Sequence, residues 1–252
     1  MDVNGKVAVV TGSSAGVGRA TAELLASLGA KVVVNYAHSE GDANEVVEAI
    51  RAAGGTAHAF QADVRNDEEC RALVESAVDT YGALHILVNN AGMTHFIPHE
   101  RFDLVTDEVW EDTFGVNVKG TFNCTRAAAP HMQRAGEGAI VNVASIAGVR
   151  GVGSSIPYAA SKAAIINMTK STARVLGPEI RVNCIAPGFI DTRWLQGGLG
   201  ERYDRAKEAA AERTPLKAVA TPETCADAIL AFIQLNTFVT GQTVIVDGGS
   251  SL

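Results

Sequence analysis

The sequence predicts an α/β fold: a Rossmann-type, doubly wound sheet of seven parallel strands with helices on both faces, in a single domain spanning residues 1–252. Three observations predict it. Short apolar runs alternate with longer amphipathic stretches, the pattern of βαβ units. A glycine-rich turn joins the first apolar run to the first amphipathic stretch. No linker-like segment or internal repeat interrupts a chain whose length lies near the upper limit of one core.

In order, residues 6–11 read as the first strand, followed by a helix over 17–28 and a second strand over 31–35. A helix over 41–53 leads to a strand at 56–61. The next helix, 67–81, opens on Asp67, Glu68 and Glu69, acids suited to the positive end of the helix dipole. A strand at 84–89 precedes a long helix at 107–134, which Pro130 is expected to kink or end. Strands at 139–144, 181–186 and 243–246 alternate with helices at 156–176 and 222–235. Right-handed crossovers then cover both faces of the sheet. Residues 189–214 break the rhythm: with Gly197, Gly198 and Gly200, this stretch reads as a lid or substrate loop.

Bulk chemistry narrows the function. The net charge is −7 with no cluster of lysine and arginine, which excludes binding of nucleic acid or an anionic membrane through a basic surface. Cys70, Cys124, Cys184 and Cys225 lie far apart without a CxxC spacing, so they read as free buried thiols in a reducing compartment. The sequence starts without a signal-peptide pattern and holds no apolar run of membrane-spanning length, giving an expectation of a cytoplasmic protein. The histidines lack a metal-ligand spacing, and none is expected to hold a metal.

The turn after the first strand reads Thr11-Gly12-Ser13-Ser14-Ala15-Gly16-Val17-Gly18. Its glycines permit a sharp bend and close backbone approach, and the helix start that follows favours a pyrophosphate. The spacing G-x-x-x-G-x-G departs from the G-x-G-x-x-G fingerprint, so the turn needs context. Tyr158 and Lys162 are four apart on a predicted helix, so both rise from one face. A nearby ammonium is expected to pull the tyrosine pKa down from about 10 towards the working range. Ser145 follows the fifth strand, where its hydroxyl points into the crevice and can stabilise a developing alkoxide. Asn117 is a polar residue in mid-helix, which propensity disfavours.

Together with Asn89-Asn90-Ala91-Gly92, Tyr158-Ala159-Ala160-Ser161-Lys162, Pro187-Gly188 and Asp247-Gly248-Gly249, these residues stand in the order found in short-chain dehydrogenases/reductases. The chain resembles that family over nearly its whole length. Segments 33–37 and 186–190 are similar to the 3-oxoacyl-carrier-protein reductases within it. The resemblance implies hydride transfer between a nicotinamide dinucleotide and a carbonyl or secondary alcohol, with no metal. It makes Tyr158 the acid/base, Lys162 its partner and ribose ligand, Ser145 the oxyanion donor, and Asn117 the holder of a water in a proton relay.

The resemblance further implies a dinucleotide site made of Gly12, Ser13, Ser14, Gly16, Val17 and Gly18, with Asp63 and Val64 at the adenine and Asn90, Ala91 and Gly92 along the adenosine ribose. Tyr158, Lys162, Pro187, Gly188, Ile190 and Thr192 complete it. After the second strand the sequence reads Asn35-Tyr36-Ala37-His38-Ser39, without the acid that selects NAD(H), and these five residues join the cofactor set. NADP(H) is therefore expected over NAD(H), although Ala15 is not the basic residue NADP-preferring relatives often carry there.

Substrate walls are expected from Ser145, Ala147, Val152, Phe189 and Trp194, suiting a mostly non-ionic carbonyl compound of medium size. The weakly basic segments around Arg134 and Arg181 speak against an acidic carrier protein as partner. Apolar or small residues on several faces of helices 107–134 and 156–176 give an expectation of a homotetramer. Against a protein that merely senses dinucleotides stands the intact set Asn117, Ser145, Tyr158 and Lys162.

Overall fold

A computed structural model describes residues 1–252. Its seven strands form one sheet in the order β3-β2-β1-β4-β5-β6-β7, and every neighbouring pair is parallel. The strands are β1 (Val7–Val10), β2 (Lys31–Tyr36), β3 (Thr56–Gln61), β4 (Ile86–Asn89), β5 (Gly138–Val143), β6 (Ile180–Pro187) and β7 (Thr243–Val246). The order reverses between β1 and β4, which opens a crevice at their carboxyl ends.

Side-chain alternation along the strands divides the core into two layers. On one face Ala8, Val10, Val32, Val34, Ile86 and Val88 pack under α1 (Gly16–Ser27), α2 (Glu40–Ala52) and α10 (Pro222–Leu230). On the other, Val7, Val9, Val33, Leu87 and Ile140 meet α3 (Asp67–Tyr81) and α5 (Thr121–Ala135). Burial on both faces explains the continuous apolar runs such as Val7–Val10. Helix α3 begins where its acids predict, with the Asn66 side chain accepting the Glu68 N–H, and stops at the left-handed Gly82.

The long helix expected over 107–134 differs in its interior. It runs as α4 (Asp107–Phe114), a π-helical turn (Gly115–Gly120) and α5. The cause is Asn117, whose side-chain amide is captured by the Met93 backbone at 2.8 and 3.0 Å while its own carbonyl accepts the Thr121 hydroxyl. Gly120 lets the turn press on Val64, where a Cβ would lie 2.5 Å from Cγ2. Pro130 does not end the helix, which continues to Ala135. A second π turn, Ala231–Leu235, follows α10.

The excursion read as a loop over 189–214 is largely helical, with α8 (Arg193–Leu199) and α9 (Tyr203–Arg213). Sequence periodicity missed it because α8 is short and carries Gly197 and Gly198. A short helix α6 (Ala147–Arg150) precedes the expected α7 (Ile156–Leu176), which Ser155 caps by accepting the Tyr158 N–H. No helix is long and apolar enough to cross a membrane.

Candidate active site

A cavity of about 640 Å³ opens at the carboxyl ends of β1, β4, β5 and β6 and runs beneath α8. Ala15, Gly16 and Val17 line one part of it; Ser145, Tyr158 and Lys162 line another. The same cavity takes in Asn90, Gly92, Ala147, Val152, Pro187, Gly188, Phe189, Ile190, Thr192 and Trp194.

The glycine turn is built around backbone contacts. Gly12 has φ +59°, and a Cβ there would lie 2.9 Å from the Ala91 Cα. At Gly18 a Cβ would stand 2.5 Å from both the Gly12 carbonyl oxygen and the Asn90 Nδ2. Asn90 locks the turn by donating to the Thr11 and Gly12 carbonyls, both at 2.9 Å, while the Thr11 hydroxyl accepts the Asn90 and Ala91 N–H groups at 3.0 Å.

Two expected phosphate donors are otherwise engaged. The Ser13 hydroxyl is buried, donates to the Val10 carbonyl at 2.7 Å and accepts the Asn35 N–H at 3.0 Å. Asn35 is equally buried: its Oδ1 accepts the Gly12 N–H, and its Nδ2 faces the carbonyls of Tyr36, Phe60 and Ala62. Both side chains shape the turn rather than face a ligand. Ser14 is half-buried, and His38 and Ser39 are exposed. Tyr36 is buried in the core, and the Ala37 carbonyl accepts the Gln61 side-chain amide.

Helix α1 starts without a side-chain cap at Ala15, and the first N–H bonded back into the turn is that of Arg19. Its leading N–H groups are thus free for an acceptor. A Cβ on Gly16 would meet only the Thr192 methyl, at 3.8 Å, so the turn stays open towards the cavity. These features fit a dinucleotide pyrophosphate. Asp63 and Val64 follow β3 outside the cavity wall. Arg65 binds the Asp63 carboxylate at 2.7 Å and holds its pKa below the ordinary value, while the Val64 carbonyl accepts the Asn123 amide.

Helix α7 carries Tyr158 and Lys162. Their relation differs from simple contact: Lys162 Nζ lies 5.6 Å from the Tyr158 ring centroid and donates to the Val143 carbonyl at 2.8 Å. Tyr158 looks into the cavity yet is walled by protein, and this burial pushes its pKa up to about 12, with the Ser145 hydroxyl opposing the rise. The expected lowering by the ammonium is therefore not what the site shows. Burial instead brings Lys162, itself buried, down to about 8. Ser145 is steadied by the Ala147 N–H, which donates to its Oγ at 3.1 Å.

Asn117 lies behind this group, its Nδ2 donating to Ser161 Oγ of α7 at 2.9 Å. A Cβ on Gly92 would be 3.4 Å from both Asn117 Oδ1 and Lys162 Nζ, so Gly92 separates the two. Asn89, Asn142, Thr125 and Thr169 form a buried chain of bonds at 2.9–3.1 Å that ties α5 and α7 to the sheet.

The sequence reading missed one cluster. Asp191 accepts from Tyr203 Oη and pairs with Lys207, fastening α9 to the end of β6. Arg193, on the cavity wall, pairs with Asp42 of α2 at 3.6 Å. Their signal was the density of charge in 189–214, but nothing in their spacing pairs them.

Comparison with known proteins settles the family. Residues 12–251 match the family described as enoyl-(acyl carrier protein) reductase. The chain is a short-chain dehydrogenase/reductase. It is 44% identical over 246 residues to a Streptomyces violaceoruber protein named as a ketoacyl reductase of the granaticin polyketide synthase, covering 98% of this chain and 96% of that one. It is 38% identical to the 3-oxoacyl-(acyl-carrier-protein) reductase FabG of Staphylococcus aureus, covering 97% of each. A structure from Burkholderia xenovorans, described as a short-chain dehydrogenase/reductase, superposes with a TM-score of 0.91 at 35% identity over 98% of each chain. This dehydrogenase/reductase is thus an NAD(P)-dependent oxidoreductase acting on carbonyl or alcohol groups.

Proposed function

We propose that the enzyme reduces the ketone of a 3-oxoacyl compound, with Tyr158 delivering the proton to the ketone oxygen. The carrying observation is that the Tyr158 phenol, protonated at neutral pH, shares the cavity with the Ser145 hydroxyl. Two hydroxyl donors at one place suit an oxygen that gains negative charge. Relatives named as ketoacyl and 3-oxoacyl reductases support the same substrate class.

When bound, a reduced nicotinamide supplies the hydride. The N–H groups of 16–18 would hold its pyrophosphate, and Pro187, Gly188, Ile190 and Thr192 would line the rest of its site. Tyr158 Oη releases its proton to the ketone oxygen as Ser145 Oγ donates a hydrogen bond to it. The Lys162 ammonium offsets the charge left on the phenolate, and Asn117 fixes α7 through Ser161. The absence of an acid at 35–39 supports NADP(H) as the cofactor, with Ser14, His38 and Ser39 as the free polar groups there.

Arg181 spends its guanidinium on the carbonyls of Phe232, Ile233 and Asn236, so it is no docking cation for a carrier protein. Exposed apolar side chains on α4 and α5 (Trp110, Phe122) and along the edge strand β7 (Val244, Ile245) support a homotetramer, which light scattering tests. Four free buried thiols support a cytoplasmic setting.

The deciding experiment follows nicotinamide absorbance with ethyl acetoacetate, comparing NADPH with NADH and wild type with Tyr158→Phe. A loss in kcat of about 10² to 10⁴ is expected from removing the acid. Full activity of the variant overturns the mechanism, and a strong NADH preference overturns the cofactor choice.

A further inference from the structure

One wall of the cavity is aromatic. The Trp194 indole stands 6.1 Å from the Tyr158 ring at a 48° tilt and 5.8 Å from the Phe96 ring at 57°. Such tilted pairs are the arrangement ring quadrupoles favour. Trp194 remains 46% exposed, so part of the indole is free to meet a ligand.

The wall depends on a glycine that α8 would not otherwise carry. Glycine is unfavourable inside a helix, yet at Gly198 an added Cβ would lie 1.9 Å from Phe96 Cζ. Gly198 therefore admits the Phe96 ring against the α8 backbone, and Phe96 in turn backs Trp194. Around this wall Val152, Ile190 and Leu195 add apolar lining. An aromatic face rewards a flat ligand more than a flexible chain, because the flat ligand gains stacking and loses few rotors on binding.

We propose that the natural substrate is a ketone joined to a planar conjugated group, aryl or polyene, which stacks on Trp194 while its oxygen meets Tyr158. The proposal rests on the reading of Tyr158 as proton donor to a ketone and specifies what flanks that ketone. Trp194 is then the residue that sets specificity.

The test compares ethyl benzoylacetate with ethyl 3-oxohexanoate, using NADPH and the full-length enzyme. Wild type is expected to favour the aryl ketone in kcat/KM. Trp194→Leu should lower the aryl-to-alkyl ratio by roughly three- to tenfold, the range an aromatic pair contributes beyond its area. Trp194→Phe should retain most of the preference. An unchanged ratio in Trp194→Leu, or a wild-type preference for the alkyl ketone, overturns the proposal.

A binding readout separates this from failure of the underlying reading. The chain has two tryptophans, so Trp110→Phe leaves Trp194 as the single indole. Titration with the alcohol ethyl 3-hydroxy-3-phenylpropanoate should quench its fluorescence, and ethyl 3-hydroxyhexanoate should quench it far less. Equal quenching by both, or none by either, overturns the stacking proposal. Selective quenching beside full activity of Tyr158→Phe leaves stacking standing and overturns the proton-donor reading alone.

Discussion

Replacing Lys162 by methionine should stabilise the protein at neutral pH while disabling it. Lys162 is 4% exposed, and its ammonium donates to the Val143 carbonyl. Burial lowers its pKa from the ordinary 10.5 to about 8. At about 1.4 kcal/mol per factor of ten in proton affinity, the folded state gives up roughly 3 kcal/mol by holding this charge at pH 7. Between pH 8 and 10.5 the unfolded chain binds more protons at this position than the folded one, so the lysine's contribution to stability rises with pH in that window. Methionine has no such dependence. The advantage of Lys162→Met over wild type, whatever its pH-independent packing part, should therefore shrink by about 2 kcal/mol from pH 7 to pH 10. Cys184, pushed up to about 11 by burial with the Lys162 ammonium opposing the rise, and Cys225, pushed up to about 12, stay protonated in both folded proteins up to pH 10 and cancel. Urea unfolding of both proteins at the two pH values measures the difference. A gap that stays constant with pH would refute the claim that burial lowers the Lys162 pKa.

Three further outcomes follow from the site. Ketone reduction should hold steady below pH 8 and decline above it as Lys162 loses its proton, Tyr158 remaining protonated throughout; a kcat/KM profile rising past pH 9 would contradict this. Gly18→Ala should cost about 2–3 kcal/mol, because its methyl carbon would lie 2.5 Å from the Gly12 carbonyl oxygen, and a melting temperature equal to wild type would show that the turn yields. Asn35→Asp looks like a route to NADH preference but places a buried carboxylate against three backbone carbonyls. A loss of about 3 kcal/mol in thermal unfolding is expected without a gain in NADH use, and an unaltered melt would argue against it.

Most of the architecture was legible because parallel strands and their covering helices write strong periodic patterns. Strands at 56–61 and 243–246 and helices at 67–81 and 156–176 have the boundaries read from sequence. Residues whose role is set by distant partners were not legible. The buried serine and asparagine, Ser13 and Asn35, look like phosphate donors until their bonds to Val10 and Ala62 are seen. The π turn needed Met93, remote in sequence, to capture Asn117. The Tyr158 and Lys162 pair was located by spacing, but its electrostatics depend on burial, which no four-residue spacing reports.

The π turn also bears on how such an enzyme diversifies. Through one amide, Asn117 fastens both the segment entering the Met93 loop and the helix carrying Tyr158 to the same point. The reacting groups thus hang from the sheet and this knot, whereas Phe96, Val152 and Trp194 project from segments beyond it. Side chains that line the cavity from these loops and from α8 can change and take up new molecules while the chemistry stays in place. Redesign of this scaffold for another ketone should begin at those three positions.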